Sequence, residues 1–208
     1  MNSVFPYHVF ARANNKDWFG LPLGECWKVF EEKLAIVSER YSAQVISFVL
    51  LVNHFHMLMR TPNANLDEIM NYLMRETSRE IARRLGRINH IFGGRYKGCV
   101  ITQSSYFYHV YKYVYRNPVE AGSCLRVEDY PFSTLQQLVN RTQFSFPVHD
   151  DIATNLSPIP KWPERLEWLN GAPSAAQTDF IRRALRHAEF KPPGGHNFTN
   201  VRTALAFS

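Results

Sequence analysis

Residues 43–60, AQVISFVLLVNHFHMLMR, set two β-rich, largely apolar runs on either side of one asparagine. AQVISFVLLV is apolar enough for a buried strand. HFHMLMR follows at once, so the two runs form neighbouring strands with Asn53 as the turn or bulge residue between them. Helical patterns flank the pair. GECWKVFEEKLAIVSERY, 24–41, spaces Trp27, Phe30, Leu34 and Val37 as one face of a helix. TPNANLDEIMNYLMRETSREIARRLG, 61–86, reads as a second helix. Asn65 stands at its N-cap, Asp67 and Glu68 lie in the first turn where the helix dipole favours them, and Gly86 is its stop. YHVFARAN, 7–14, alternates as a strand, and GGRYKGCVIT, 93–102, turns on glycine into another. SSYFYHVYKYVYRN, 104–117, reads as a helix with serine caps, ending near Asn117 because Pro118 disfavours helix at the residue before it. The order β-α-β-β-α-β-α is a split βαβ pattern. The fold class expected is α+β, a ferredoxin-like antiparallel sheet with helices on one side.

This pattern occupies residues 1–140. Beyond it the character changes. Residues 141–165, rich in Pro, Ser, Thr and Asp, read as a linker. LEWLN (166–170) and TDFIRRALRHAEF (178–190) read as helical, and PPGGHNFTN as loop, so 141–208 is a linker with a small, mainly helical C-terminal extension. With 208 residues, 45% of them hydrophobic, the chain can bury a sizeable core. Its longest apolar run falls well short of the roughly 20 residues a membrane helix needs. MNSVFPYHVF lacks the basic start and apolar stretch of a secretory signal. A soluble, cytoplasmic chain is expected. Cys26, Cys99 and Cys124 form no CxxC pair and read as reduced structural thiols.

The formal net charge is +6, and its distribution says more than its size. From Ile81 to Val119 there is no Asp or Glu, while Arg83, Arg84, Arg87, Arg95, Lys97, Lys112 and Arg116 fall there among many aromatic residues. Cations neutralise phosphates and aromatic faces stack on unpaired bases. A solvated basic helix face followed by an aromatic core helix would leave the same pattern.

Within HFH, side chains at i and i+2 of a strand share a face, so His54 and His56 sit side by side with Phe55 turned away. Two adjacent imidazoles are a metal half-site, a general-base pair or a packing coincidence. In the tyrosine-rich helix, one face reads Tyr106, His109, Val110, Tyr113, Asn117 and another Tyr108, Tyr111, Lys112, Tyr115. Only Tyr113 has a carboxamide one turn on, at Asn117. The phenol can be a nucleophile, and the amide oxygen can complete a metal site begun by two imidazoles. Aromatic stripes on helices are more commonly packing elements. His109, one turn before Tyr113, is an alternative ligand. Tyr115 is about 200° of helical rotation from Tyr113 and so faces elsewhere.

NHFHM resembles the HUH motif (histidine, bulky hydrophobe, histidine) of single-tyrosine transposases. YKYVYRNPVEAG resembles the tyrosine-helix signature of the REP-associated tyrosine transposases, and GGRYKGCVIT the stretch preceding it. YHVFARANN resembles the family's first strand and YPFST (130–134) its close, so the resemblance covers roughly residues 5–135. It implies an enzyme that binds single-stranded DNA, often beside a hairpin, and cuts it with no external energy source. By match to the motif, Tyr113 would attack a backbone phosphorus and form a 5′-phosphotyrosine link with a free 3′-OH. His54 and His56 would ligate one divalent ion, with Asn117 as third ligand. Such a mixed imidazole and amide set fits Mg²⁺ or Mn²⁺. Arg79, Arg83, Arg95, Lys97 and Arg116 are candidate phosphate contacts. Relatives occur both as monomers and as homodimers. Two rivals stand beside this reading. One is a non-cleaving protein that binds DNA or RNA hairpins. The other is a metal-dependent phosphodiesterase in which water attacks and Tyr113 is structural.

Overall fold

The computed structural model describes residues 2–88, 90–150 and 162–191. Strand β1 (Tyr7–Arg12) leads through a 3-10 turn at Asn14–Lys16 into helix α1 (Leu23–Tyr41). There follow β2 (Gln44–Leu50), β3 (His54–Arg60), α2 (Leu66–Leu85), β4 (Lys97–Val100) and α3 (Ser104–Glu120). A short α4 (Leu135–Leu138) and the helices α5 (Glu164–Asn170) and α6 (Ala175–Ala184) complete the described chain. The strands form one sheet in the order β2-β3-β1-β4, with every pairing antiparallel. This is the α+β, ferredoxin-like arrangement expected.

Alternation along the strands, stepped by one residue at an irregularity in β2 between Val45 and Ser47, builds two cores. Val9 and Ala11 of β1, Phe48 and Leu50 of β2, and Phe55, Met57 and Met59 of β3 face α1 and α2. There the Phe30 ring lies 5.5 Å from Phe48 and 5.4 Å from Phe55. The crossover helices α1 and α2 are the one-sided helical layer of the expected fold. The opposite face, with Val49 and Leu58, packs against Val110, Tyr111 and Val114 of α3. The second helical layer is therefore α3, which follows β4 and lies across the face that carries His54 and His56. Asn53 lies in the tight turn between β2 and β3, closed by Leu51 N–H donating to the His54 carbonyl at 2.8 Å.

Three helix ends differ in detail from expectation. Asn65 occupies the N-cap position of α2, but its side chain makes no cap. Its Nδ2 donates instead to the Tyr41 carbonyl at 3.1 Å, tying the start of α2 to the end of α1. The serines expected to cap α3 are its first helical residues, and Gln103 stands at the cap position without a side-chain bond. Helix α3 also runs through Pro118 to Glu120. Proline has no N–H to give the Val114 carbonyl. Asn117 Nδ2 turns back over that turn, at 2.7 Å from the Tyr113 carbonyl and 3.5 Å from that of Val114, so the helix continues. The end of α2 is as expected: Gly86 holds φ +64°, a left-handed stop that glycine adopts without strain.

The C-terminal helices pack onto α3. Arg116 donates to the carbonyls of Leu169 at 3.3 Å and Asn170 at 2.6 Å, fastening the end of α5. Helix α6 begins with a capping box, Ser174 Oγ accepting from Gln177 N–H and Gln177 Oε1 from Ser174 N–H. Its Ile181 and Ala184, with Leu185 and Phe190 beyond, enter the buried cluster of Tyr106 and Val110. The chain after α6 then pairs with β4, through Val100 N–H to the Ala188 carbonyl and Phe190 N–H to the Val100 carbonyl, both at 2.9 Å. Residues 151–161 of the expected linker and the PPGGHNFTN loop lie outside the described residues. Among the described residues no helix is long and apolar enough to cross a membrane.

Candidate active site

Strand β3 brings His54 and His56 to one face, with ring centroids 5.3 Å apart, while Phe55 enters the opposite core. Register with β1 sets Arg12 opposite His54 and Phe10 opposite His56. One step along, His8 Nε2 lies 2.9 Å from His56 Nδ1. His54 is oriented by its neighbour. Asn53 Nδ2 donates to the Lys16 carbonyl at 2.5 Å, which turns Asn53 Oδ1 toward His54 Nδ1 at 2.6 Å. An oxygen there accepts, so His54 Nδ1 carries the proton and Nε2 the lone pair. All three imidazoles are held neutral. Burial pushes His8 down to about 3. Burial, then the charge of Arg12, lowers His54 to about 4. His56 is driven well down by burial and by the two other histidines.

Over this pair stands Tyr113, its ring 5.5 Å from His56 and 6.2 Å from His8. It is only half-buried, whereas Tyr106, Tyr111 and Tyr115 of the same helix are fully buried. Tyr115 Oη is engaged with Thr134 Oγ1 at 3.1 Å. Burial raises the Tyr113 pKa, and the charge and hydrogen bonding of Arg182 oppose that rise, with a smaller push from Arg12. Asn117 comes one turn later. Its Nδ2 is spent on backbone carbonyls, the residue lines the pocket, and its side chain adds a small downward push on the Tyr113 pKa.

These groups line one open pocket of about 450 Å³. His54, His56, Tyr113, Asn117 and Lys97 come together there; His8, Arg12, Arg182 and Arg186 join them, with Glu120 as the carboxylate on the rim. Arg182 and Arg186 arrive from α6 and its C-terminal end. Among the described residues no three His, Cys, Asp or Glu stand in metal-holding geometry. The donors at hand are two imidazoles and one amide oxygen. The Asn53 lock leaves His54 Nε2 available, and the same holds for His56 Nε2 when His56 Nδ1–H donates to His8. A set of few, mixed N and O donors fits a weakly held divalent ion with positions left for water and phosphate.

The other expected cations lie elsewhere. Arg79 and Arg83 project from α2, behind the sheet, in pairs with Glu76 at 3.3 Å and Glu80 at 2.8 Å. Arg95 is exposed, 3.8 Å from Asp67, beside α2. Arg116 is a correction: it is 5% exposed, bonded to α5 and to Glu120 at 3.0 Å, and presents no face to a phosphate. His109 does not line the pocket. His8 and Arg12 were legible as one face of the alternating YHVFARAN strand; the α6 arginines carried no local signal.

The family model described as "Transposase IS200 like" matches residues 5–117, more than half of the chain. A REP-associated tyrosine transposase of Escherichia coli K12 is 27% identical over 116 residues, which are 56% of this chain and 61% of that protein. The chain thus spans less than two thirds of the length of that curated relative. A solved structure of a REP-associated tyrosine transposase bound to a REP hairpin superposes with a TM-score of 0.56 at 20% identity, covering 72% of this chain and 88% of that one. At that identity the likeness is one of fold.

Proposed function

Because the chain belongs to the IS200-like transposase family, we propose that it cuts and rejoins single-stranded DNA, with Tyr113 as nucleophile. One observation carries the reading. Of the five tyrosines between 106 and 115, Tyr113 is the one whose ring stands over the His54–His56 pair in an open basic pocket. The chemistry would run in line. The Tyr113 oxygen attacks phosphorus and the P–O3′ bond breaks. Its electron pair leaves with the 3′-oxygen, which becomes 3′-OH, and the phenolic proton passes to water. The 5′-phosphotyrosine link keeps the energy of the broken bond, so a second 3′-OH can reverse it and complete strand transfer.

His54, His56 and Asn117 would hold one Mg²⁺ or Mn²⁺. When bound, the ion would supply Lewis-acid polarisation of the scissile phosphate. The protein's own share is orientation: Asn53 sets the His54 tautomer, His8 aims His56, and the Asn-Pro turn fixes the Asn117 amide. Lys97, Arg12 and Arg186 would bind the DNA backbone. The hairpin beside the cut site is the partner suggested by the hairpin-bound relative.

A denaturing-gel assay tests the reading. The full chain is mixed with labelled single-stranded hairpin oligonucleotides from the DNA flanking its gene, plus Mn²⁺ or Mg²⁺. A labelled protein band should form in the wild type and in Tyr115→Phe. It should vanish in Tyr113→Phe, in His56→Ala and in EDTA. Metal-dependent cleavage that leaves no protein adduct would instead favour attack by water, and tight binding without cleavage would favour a hairpin-binding protein.

A further inference from the structure

Arg182 belongs to the C-terminal extension, outside the segment matched by the family model, yet it lines the same pocket as Tyr113, His54 and His56. Both side chains border that pocket, and the positive charge of Arg182 acts on the Tyr113 phenol across it. The helix that delivers it is held at three points. The capping box at Ser174 fixes its start, Ile181 and Ala184 bury its inner face, and past its end the Phe190 ring packs 4.8 Å from Tyr106. Arg183, the next residue, is tied to Asp179, whereas Arg182 has no salt bridge among the described residues. A cation with no carboxylate partner among the described residues, carried on a fastened helix into the pocket of Tyr113 and His56, is placed for chemistry rather than for stability.

We propose that Arg182 is a catalytic residue for strand cleavage, holding the Tyr113 oxygen as it attacks phosphorus. The assignment rests on Tyr113 being the nucleophile. The bonds made and broken are those given above: Tyr113 O–P forms, P–O3′ breaks, the electron pair leaves with O3′, and the phenolic proton goes to water. A guanidinium does not give up its own proton, so Arg182 is not the base. It stabilises the negative charge that the phenolic oxygen carries in a half-buried site, where fixed donors act more strongly than in water. When the step reverses, the same contact stabilises the departing tyrosine oxygen. The extension is therefore part of the catalytic machinery and not an appendage to it.

Single-turnover cleavage separates this role from simple DNA binding. The full chain is assayed with labelled single-stranded hairpin oligonucleotides and Mn²⁺, and affinity is read by anisotropy without metal. At saturating DNA, Arg182→Ala should cleave about 10²–10³-fold more slowly, the typical cost of removing one preorganised donor. Its Kd should stay within about threefold, since one lost phosphate contact would act on affinity instead. Arg182→Lys, which keeps the charge, should recover much of the rate, and Arg183→Ala should match the wild type. Because Arg182 is exposed, the melting temperature should not move. Wild-type or faster cleavage by Arg182→Ala, or a loss confined to Kd, would overturn the assignment while the Tyr113 adduct stands. A wild-type chain that forms no adduct would overturn the assignment together with the reading beneath it.

Discussion

Asn53 shows how much one small side chain can set. Its amide nitrogen is committed to Lys16, its oxygen therefore meets His54, and the tautomer of a candidate metal ligand follows. His8 plays the matching part for His56 from the neighbouring strand. Orienting partners of this kind are typically worth about 10–100-fold in metal affinity. His8→Ala should accordingly weaken Mn²⁺ binding by about that factor in calorimetric titration, with an unchanged affinity showing His8 to be mere packing. The buried imidazoles also set a pH dependence. The unfolded chain protonates its histidines near 6.5, whereas folded His54 resists to about 4 and folded His8 to about 3. Across that window the unfolded state binds more protons, so stability is full above pH 6.5 and falls as the pH drops toward 4. Thermal melts of the metal-free protein should show this fall. His8→Gln, which cannot titrate, should make it shallower, and an equal slope would exclude His8 as a contributor.

At the scale of elements, the strands and the two crossover helices were legible because their signals are local. Alternation, helical spacing and a left-handed stop at Gly86 need no knowledge of the rest of the chain. His54, His56, Tyr113 and Asn117 were legible for the same reason, each pair lying within one element. The continuation of α3 past Pro118 was not, because it depends on the Asn117 amide turning back onto the carbonyls that proline leaves open. Arg116 was misread for a different reason. In sequence it is one more cation in an acid-free stretch; in the fold it is a buried peg between α3 and α5. Arg116→Met leaves the carbonyls of Leu169 and Asn170 without their donor and should destabilise the protein by about 1–3 kcal/mol. DNA affinity measured well below the melting temperature should hardly change. A weakened, less salt-dependent complex would restore Arg116 as a phosphate contact.

For the whole molecule, the two faces of the sheet divide the labour. Helices α1 and α2 close the larger apolar core, while α3 and α6 enclose a pocket on the other side in which neutral histidines, one phenol and four cations meet. That α6 reaches this pocket depends on packing between residues some seventy positions apart, and no pattern near Arg182 announces it. Charge position, not net charge, should govern DNA binding. Removing one phosphate contact lowers the log–log salt slope for single strands by about 0.7, so Lys97→Ala should show that drop and Arg79→Ala, behind the sheet, should not. Equal slopes for the two would mean that DNA tracks α2 instead. The most direct test of the central claim is to trap the protein–DNA adduct with Mn²⁺, digest it and locate the nucleotide-bearing residue by mass spectrometry. The account requires the phosphodiester on Tyr113. A modification on Tyr108, Tyr111 or Tyr115, or cleaved DNA with no modified tyrosine, would contradict it.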